Sequence, residues 1–125
     1  MWYQEPKWRN RLVVEAGLLR QRFPGFVLTR SGAGLLVWRG IVQPVVGAAF
    51  EITATMPARY PYEAPELRVE RPRLRPGAPH VYASGALCIH KQSWDPMRGT
   101  VASVIPLASA WLVGYLAWLR TGENF

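Results

Sequence analysis

Apolar residues recur at helical spacing near the start of the chain and again near its end. Between residues 7 and 23 the apolar stripe consists of Trp8, Leu12, Val13, Ala16, Leu19 and Phe23. Most basic side chains lie off this stripe, and Pro24-Gly25 marks the end of the predicted helix. The pattern becomes helical again from Thr100 to Leu119. The sequence therefore predicts one amphipathic helix and one largely apolar helix.

Strand-like runs occupy the stretch between these helices. Three of them follow the first helix directly: Phe26 to Arg30, Leu35 to Val42, and Val46 to Met56. The breakers between them, residues 31–34 and Gln43-Pro44, suit hairpin connections. A fourth run, Glu66 to Glu70, alternates apolar and charged residues, as a half-buried strand does. We expect a four-strand antiparallel meander, and therefore an α+β fold.

Residues 71–98 contain four prolines and predict no long regular element. Long irregular segments inside a small fold usually carry function. At 125 residues, half of them hydrophobic, the chain is expected to form a single domain over residues 1–125 with its own core. One cysteine and no recognisable leader favour a reducing, cytoplasmic location.

The charge balance is strongly basic. The formal net charge is +7, and arginines cluster at positions 68, 71, 73 and 75. An acidic protein partner or a solvated surface would each explain this charge. The basic residues form no block interleaved with aromatics, and no nucleic-acid-binding motif is present. We therefore expect no nucleic-acid partner.

The last apolar segment raises a membrane alternative. Val101 to Leu119 has no charged residue and is about long enough to cross a bilayer. Ser103, Pro106 and Ser109 dilute it, and aromatics fall near its middle. Since the segment follows four predicted strands in a short chain, we expect a core helix and no membrane partner.

Cys88 is the only cysteine, and it lies in the string His80-Val-Tyr-Ala-Ser-Gly-Ala-Leu-Cys-Ile-His90. A lone thiol forms no internal disulfide, and no metal site or small cofactor is expected around it. His90, Lys91 and His80 would favour the thiolate, which is the nucleophilic form. The alternative is a buried thiol that packs as a small apolar side chain between Leu87 and Ile89.

The order of motifs resembles that of the ubiquitin-conjugating enzymes. A helix and four strands precede Tyr60-Pro61-x-x-x-Pro65, and a His-containing loop, Gly85-x-Leu87-Cys88 and Trp94-x-Pro96 follow before the last helix. The resemblance covers nearly the whole chain. It implies the ubiquitin-conjugating-enzyme fold and a thioester-forming catalytic cysteine at Cys88.

Two departures from that family stand out. The family carries His-Pro-Asn before its cysteine, and its Asn is thought to stabilise the oxyanion during attack by an amine. Here His80 is followed by Val81-Tyr82 and the Asn is absent. Either Tyr82, Ser84, His90 or backbone N–H groups near Gly85 supply a replacement donor, or aminolysis is slow, or it needs a partner. The chain also stops at Phe125, so the C-terminal helices usual in the family are expected to be missing.

The His-Val-Tyr-x-x-Gly-x-Leu-Cys string is similar to that of a divergent bacterial branch of these enzymes. Members of that branch are encoded beside cyclic-oligonucleotide synthases in anti-phage operons of the CBASS type, some without a separate activating enzyme. The resemblance implies that Cys88 accepts the C-terminus of a protein partner. A ubiquitin-like protein or the synthase itself would fill that role, with or without an activating enzyme.

Further residues are assigned candidate roles. Asp95 would orient or deprotonate an incoming lysine, or simply form a turn before Pro96. His80 is expected to organise the loop by hydrogen bonds. His90, two residues from the thiol, is the better candidate for contact with the reaction centre, provided that the segment is extended.

Partner-binding residues are predicted on two elements. Lys7, Arg9 and Arg11 lie on the helix that meets the activating enzyme in the resembling family. Trp94 and Pro96 follow the cysteine loop, and Trp94 is expected to anchor that loop by packing.

Three functions remain open from the sequence. The favoured one is an acyl transferase with Cys88 as nucleophile. The absence of the family's Asn motivates a second, a conjugating-fold scaffold that binds partners without catalysis. A Cys-His hydrolase is the third, although no Asn or Asp is clearly placed to orient its base.

Overall fold

A computed structural model describes residues 1–125, except for the side chain of Lys91. A short 3-10 helix, Trp2–Gln4, precedes helix α1, Pro6–Arg22. Four strands follow: β1 Val27–Arg30, β2 Leu36–Val45, β3 Ala48–Thr55 and β4 Glu66–Arg71. A second 3-10 helix, Lys91–Ser93, comes before helix α2, Val101–Thr121. The predicted α+β fold is confirmed.

The strands form one antiparallel sheet in the order β1-β2-β3-β4. Trp38 near the start of β2 lies opposite Leu28 of β1 on one side and Ala54 of β3 on the other. Helix α2 buries Ile105, Leu112 and further apolar residues in the same core cluster as the sheet. The core therefore lies between the sheet and α2, and the predicted meander is confirmed.

Strand β2 is longer than the sequence pattern indicates. Gln43-Pro44 was expected to break the strand, yet β2 continues to Val45 and the hairpin turn lies at Val46-Gly47. The pairing register with β3 shifts between Val42 and Val45. A proline is tolerated at such a bulge because the ladder is interrupted there and needs no N–H donor.

The apolar stripe on α1 is only partly buried. Val13 is 65% exposed, so its expected place in the core is wrong, whereas Leu19 is 1% exposed. The acidic Glu15 is also 1% exposed. The face of α1 that packs against the rest of the fold therefore includes a buried carboxylate.

Helix α2 has the length and hydropathy of a membrane span, but 44% of its most apolar window is buried inside the fold. It begins at a reciprocal cap, in which the Ser103 N–H donates to the Thr100 hydroxyl and the Thr100 N–H donates to the Ser103 hydroxyl. Its buried face packs on the sheet, which favours the interpretation as a core helix.

Candidate active site

Cys88 ends a tight hairpin that begins at His80. The Cys88 N–H donates to the His80 carbonyl at 2.8 Å, and Val81 forms an isolated antiparallel bridge with Leu87. The turn closes where the Gly85 N–H donates to the Tyr82 carbonyl at 2.9 Å. Gly85 has φ +93°, a left-handed conformation that side chains other than hydrogen disfavour. The glycine before the cysteine is therefore required by the turn.

Strand β4 fixes this hairpin against the sheet. The Leu87 N–H donates to the Leu67 carbonyl at 2.8 Å, and the Arg68 guanidinium donates to the Ser84 carbonyl at 2.5 Å. Leu87 is 1% exposed, while Cys88 is half-buried. Because neighbouring side chains in an extended segment point in opposite directions, burial of Leu87 turns the thiol outward.

The Cys88 side chain lines an open depression of about 310 Å³. Its other lining residues are Tyr82, Ile89, His90, Gln92 and Ser93. The hydrogen bond between the Tyr82 phenol and the Cys88 thiol raises the pKa of the phenol above its usual range. Tyr82 is therefore a hydroxyl donor that stays protonated beside the thiol at neutral pH.

His90 also lines the depression, but its ring is turned into the fold. The residue is 3% exposed, and its Nε2 lies 2.5 Å from the Pro65 carbonyl oxygen. Since a carbonyl only accepts, Nε2 carries the proton and donates it. His90 thus connects the site to the turn between β3 and β4. The Lys91 side chain, expected to add positive charge here, lies outside the described residues.

The backbone of His80 pairs with that of Cys88, but the imidazole ring of His80 points elsewhere. Its φ is +58°, a conformation in which histidine is one of the tolerated residues. The ring Nε2 contacts the Phe125 carbonyl oxygen, and the two rings lie 5.6 Å apart edge to face. Its side chain is not among those that line the Cys88 depression. The His80 side chain therefore contacts the last residue of the chain, and its role in organising the loop stays a prediction.

Asp95 forms a turn. Its Oδ1 accepts from the Met97 N–H at 2.9 Å, and its carbonyl accepts from the N–H groups of Arg98 and Gly99. The carboxylate lines a neighbouring depression and does not line the one at Cys88. This geometry corresponds to the turn alternative and gives no contact that would deprotonate an amine at the thiol.

Trp94 is held as an anchor beneath the loop. Its Nε1–H donates to the Pro61 carbonyl at 2.8 Å, and its ring lies 5.8 Å from that of Tyr60. A Cβ at Gly99 would come within 2.3 Å of the Trp94 ring, so only glycine allows this approach. Trp94 is therefore engaged within the fold, as expected of a packing anchor.

The three basic residues predicted to bind a partner differ in their exposure and in their contacts within the fold. Lys7 and Arg9 are exposed, and the Lys7 ammonium lies 5.3 Å from the Trp8 ring centre. Arg11 instead donates to the carbonyls of Pro96, at 2.8 Å, and Gly99, at 2.5 Å. Its guanidinium and the Pro96 carbonyl are thus occupied within the chain.

Sequence reasoning did not identify two supporting residues, Glu15 and Arg68. Glu15 accepts from the Tyr60 hydroxyl and from the Val101 N–H at the start of α2, and Arg68 holds the hairpin. The one available signal for Glu15 was an acidic residue between apolar neighbours on a helix. Nothing in the pattern of β4 distinguishes Arg68 from the arginines that follow it.

The structure of the chain is similar to those of known conjugating-fold domains. A Vps23 UEV domain solved in complex with ubiquitin matches with a TM-score of 0.62 and 14% identity, covering 85% of this chain and 83% of that one. The yeast Vps23 UEV domain bound to a Vps27 PSDP peptide matches with 0.59 and 14% identity, covering 81% and 78%. Human ubiquitin-conjugating enzyme E2 G1 matches with 0.61 and 20% identity, covering 87% and 97%.

These similarities establish the ubiquitin-conjugating-enzyme-like fold. No curated protein sequence matches the chain. A family model described as Type II CBASS E2 protein matches residues 15–124, which include the whole Cys88 hairpin. The chain therefore belongs to the Type II CBASS E2 family.

Proposed function

We propose that the protein carries the C-terminal acyl group of a protein partner as a thioester on Cys88 and transfers it to an amine or another thiol. The observation that carries this proposal is the position of the thiol. Cys88 is turned outward at the end of a fixed hairpin, in an open depression, with a hydroxyl donor beside it. An inert core cysteine would not need such access.

In the loading step the Cys88 thiolate attacks the carbonyl carbon of an activated C-terminus, either an acyl adenylate or another thioester. The S–C bond forms, and the adenylate or the departing thiolate leaves with the bonding electron pair. The thiol proton passes to water or to the departing thiolate. No metal or cofactor takes part in this step.

In the transfer step an amine attacks the same carbonyl and an amide bond forms. The S–C bond breaks, the amine loses a proton, and the Cys88 sulfur regains one. Negative charge develops on the carbonyl oxygen in the transition state, and a nearby donor stabilises it. The Tyr82 hydroxyl is the donor best supported for this role, since it already hydrogen-bonds at the sulfur.

The acyl donor in this proposal is a ubiquitin-like protein or the C-terminus of a cyclic-oligonucleotide synthase, with an activating enzyme where one is present. Family membership supports a role in anti-phage signalling, and the solved complex of a similar domain with ubiquitin supports a protein partner. The exposed Lys7 and Arg9 are proposed to contact an acidic partner surface. A cytoplasmic location and a single functional domain belong to the same proposal.

Two other functions are less well supported. A Cys-His hydrolase uses a side chain such as Asp or Asn to orient its histidine base, but His90 Nε2 donates to a backbone carbonyl, that of Pro65, and Asp95 lines a different depression from Cys88. The His80 ring contacts the Phe125 carbonyl and does not line the Cys88 depression. A binding scaffold has one favourable observation, the similarity to UEV domains. It gives no reason for an accessible thiol beside a hydroxyl donor.

A reconstitution experiment tests the proposal. The protein is incubated with the candidate partners encoded beside it, with ATP and any activating enzyme, and analysed on non-reducing gels. We expect an adduct with wild type that free thiols remove and that Cys88→Ser does not form. A partner that binds wild type and Cys88→Ser equally, with no adduct, would support the scaffold instead.

A further inference from the structure

A second groove shares the Tyr82 side chain with the Cys88 depression. It has a volume of about 420 Å³ and lies between the cysteine hairpin, β4 and the irregular segment 72–79. Tyr82 lines both this groove and the Cys88 depression. We call it the arginine groove, because the exposed Arg73 and Arg75 line it beside the apolar Val69, Leu74 and Val81.

The groove is held in place by helix α2. The Tyr115 hydroxyl accepts from the backbone N–H of Arg75 at 2.9 Å, and the Trp111 Nε1–H donates to the Pro79 carbonyl at 3.2 Å. Val69, Leu74 and Val81 are partly buried and pack against the main core. A segment that contains many prolines and few backbone hydrogen bonds is thereby fixed as a wall.

The charges of the groove are unbalanced. Its lining contains two arginines and no acidic residue. Within the part of the chain that the structure describes, no carboxylate lies within ion-pairing distance of Arg73 or Arg75. Arginine is suited to bind carboxylates because its guanidinium presents paired donors.

We propose that the arginine groove binds the residues that precede the C-terminus of the acyl donor, and that these residues are apolar and acidic. The proposal rests on the proposed thioester function and names the chemistry of the donor tail. The donor carbonyl must reach the Cys88 sulfur, so the chain before it must leave the depression along one of its walls. Tyr82 is such a wall, and it also lines the arginine groove.

The donor tail is favoured over the acceptor as the occupant. A donor attached to Cys88 stays beside the groove for the lifetime of the thioester, so contacts there act at high effective concentration. An acceptor amine meets the thioester only at the moment of transfer. Before the bond forms, the same contacts would bring the donor carbonyl to the thiol, so the charge of the donor tail should change the rate of loading, and the charge of the acceptor should not change the rate of discharge.

Two peptide thioesters with a small thiol leaving group test the proposal on the full chain. They share the same apolar residues and the same C-terminal residue, and differ by two Glu or two Lys near the C-terminus. We expect Cys88 to be loaded about fivefold faster by the acidic peptide at low salt, with the preference falling at high salt. The double variant Arg73→Glu, Arg75→Glu should reverse the preference.

A matched double variant, Arg20→Glu with Arg22→Glu, changes the net charge equally at exposed positions on α1 and should keep the wild-type preference. Discharge of the loaded protein to acidic and basic acceptor peptides should show no preference. Equal loading of the two peptides, or a preference confined to discharge, would overturn the proposal while leaving the thioester function intact. If neither peptide loads, the thioester function itself fails, and the proposal falls with it.

Discussion

Cys88 and Tyr82 face the same depression from different positions on one hairpin, and their side chains have different tasks in the proposed reaction. The thiol forms the covalent bond, and the phenol donates to the oxygen of the reacting carbonyl. His90 lines the same depression, but its Nε2 is committed to the Pro65 carbonyl. We therefore expect the proposed acyl transfer to depend on the side chains of Cys88 and Tyr82, with His90 as a positioning residue.

Tyr82→Phe tests the donor role, because it removes the hydroxyl and keeps the ring. We expect loading to be nearly unchanged and aminolysis of the thioester to slow by about tenfold or more, as for loss of an oxyanion donor. The measurement is single-turnover discharge of a loaded thioester to a small amine. Tyr62→Phe, an exposed tyrosine outside this depression, is the control and should behave as wild type.

The pH dependence of the same assay distinguishes a donor from a merely structural phenol. The hydrogen bond with Cys88 raises the pKa of Tyr82 in the unloaded protein. Cys88 is acylated in the thioester, where a phenol with the ordinary tyrosine pKa of about 10 still keeps its proton at mildly alkaline pH. The rate advantage of wild type over Tyr82→Phe should persist at mildly alkaline pH. An advantage that disappears below pH of about 9 would contradict the donor role.

At the scale of elements, a buried polar network joins α1, the turn before β4 and the start of α2. Glu15 accepts from the Tyr60 hydroxyl at 2.5 Å, from the Val101 N–H at 2.8 Å and from the Arg11 Nε at 3.0 Å. A carboxylate at a helix N-terminus is favoured by the helix dipole and by the free N–H groups there. The network fixes α1 relative to the loop that carries Trp94.

Glu15→Ala should therefore destabilise the fold strongly. It leaves the Arg11 charge, the Tyr60 hydroxyl and the Val101 N–H without their partner, and loss of one side of a buried pair costs about 3–5 kcal/mol. Urea unfolding measures the difference. Glu63→Ala breaks an exposed ion pair of 3.5 Å and should change the free energy of unfolding by less than about 1 kcal/mol. Similar effects of the two substitutions would contradict the network.

The same network predicts alkaline sensitivity. Burial raises the pKa of Tyr60 far above its ordinary value of 10.0, and the nearby Glu15 charge adds to the effect. The unfolded chain then loses this proton first, so stability is full below pH 10 and falls as pH rises beyond it. The expected contribution is about 1.4 kcal/mol per pH unit. Tyr60→Phe should flatten this slope, and Tyr62→Phe should not.

At the scale of the whole molecule, periodicity predicted the architecture because each element has one dominant buried face. It placed Val13 in the core and missed the burial of Glu15, since a hydrophobic pattern does not report a carboxylate paired across 86 residues of chain with Val101. It ended β2 at Pro44 because a bulge that tolerates proline depends on the partner strand.

The sequence was sufficient to predict the candidate nucleophile. It was not sufficient to predict how the residues around that nucleophile are oriented. A lone cysteine after a glycine turn, in the right order of motifs, identified Cys88 as the candidate. The directions of the two histidines depend on tertiary contacts with Pro65 and Phe125, which no local pattern contains. The arginine groove likewise exists only because α2 fixes a distant loop beside the hairpin.

The most direct test of a thioester carrier is the intact mass of the protein after exposure to a peptide thioester. Wild type should gain the mass of one acyl peptide, free thiol should remove it, and Cys88→Ser should gain no thiol-labile mass. Wild type that keeps its unmodified mass while an alkylating reagent still modifies Cys88 would contradict the thioester-carrier function, as would release of hydrolysed peptide with no retained adduct.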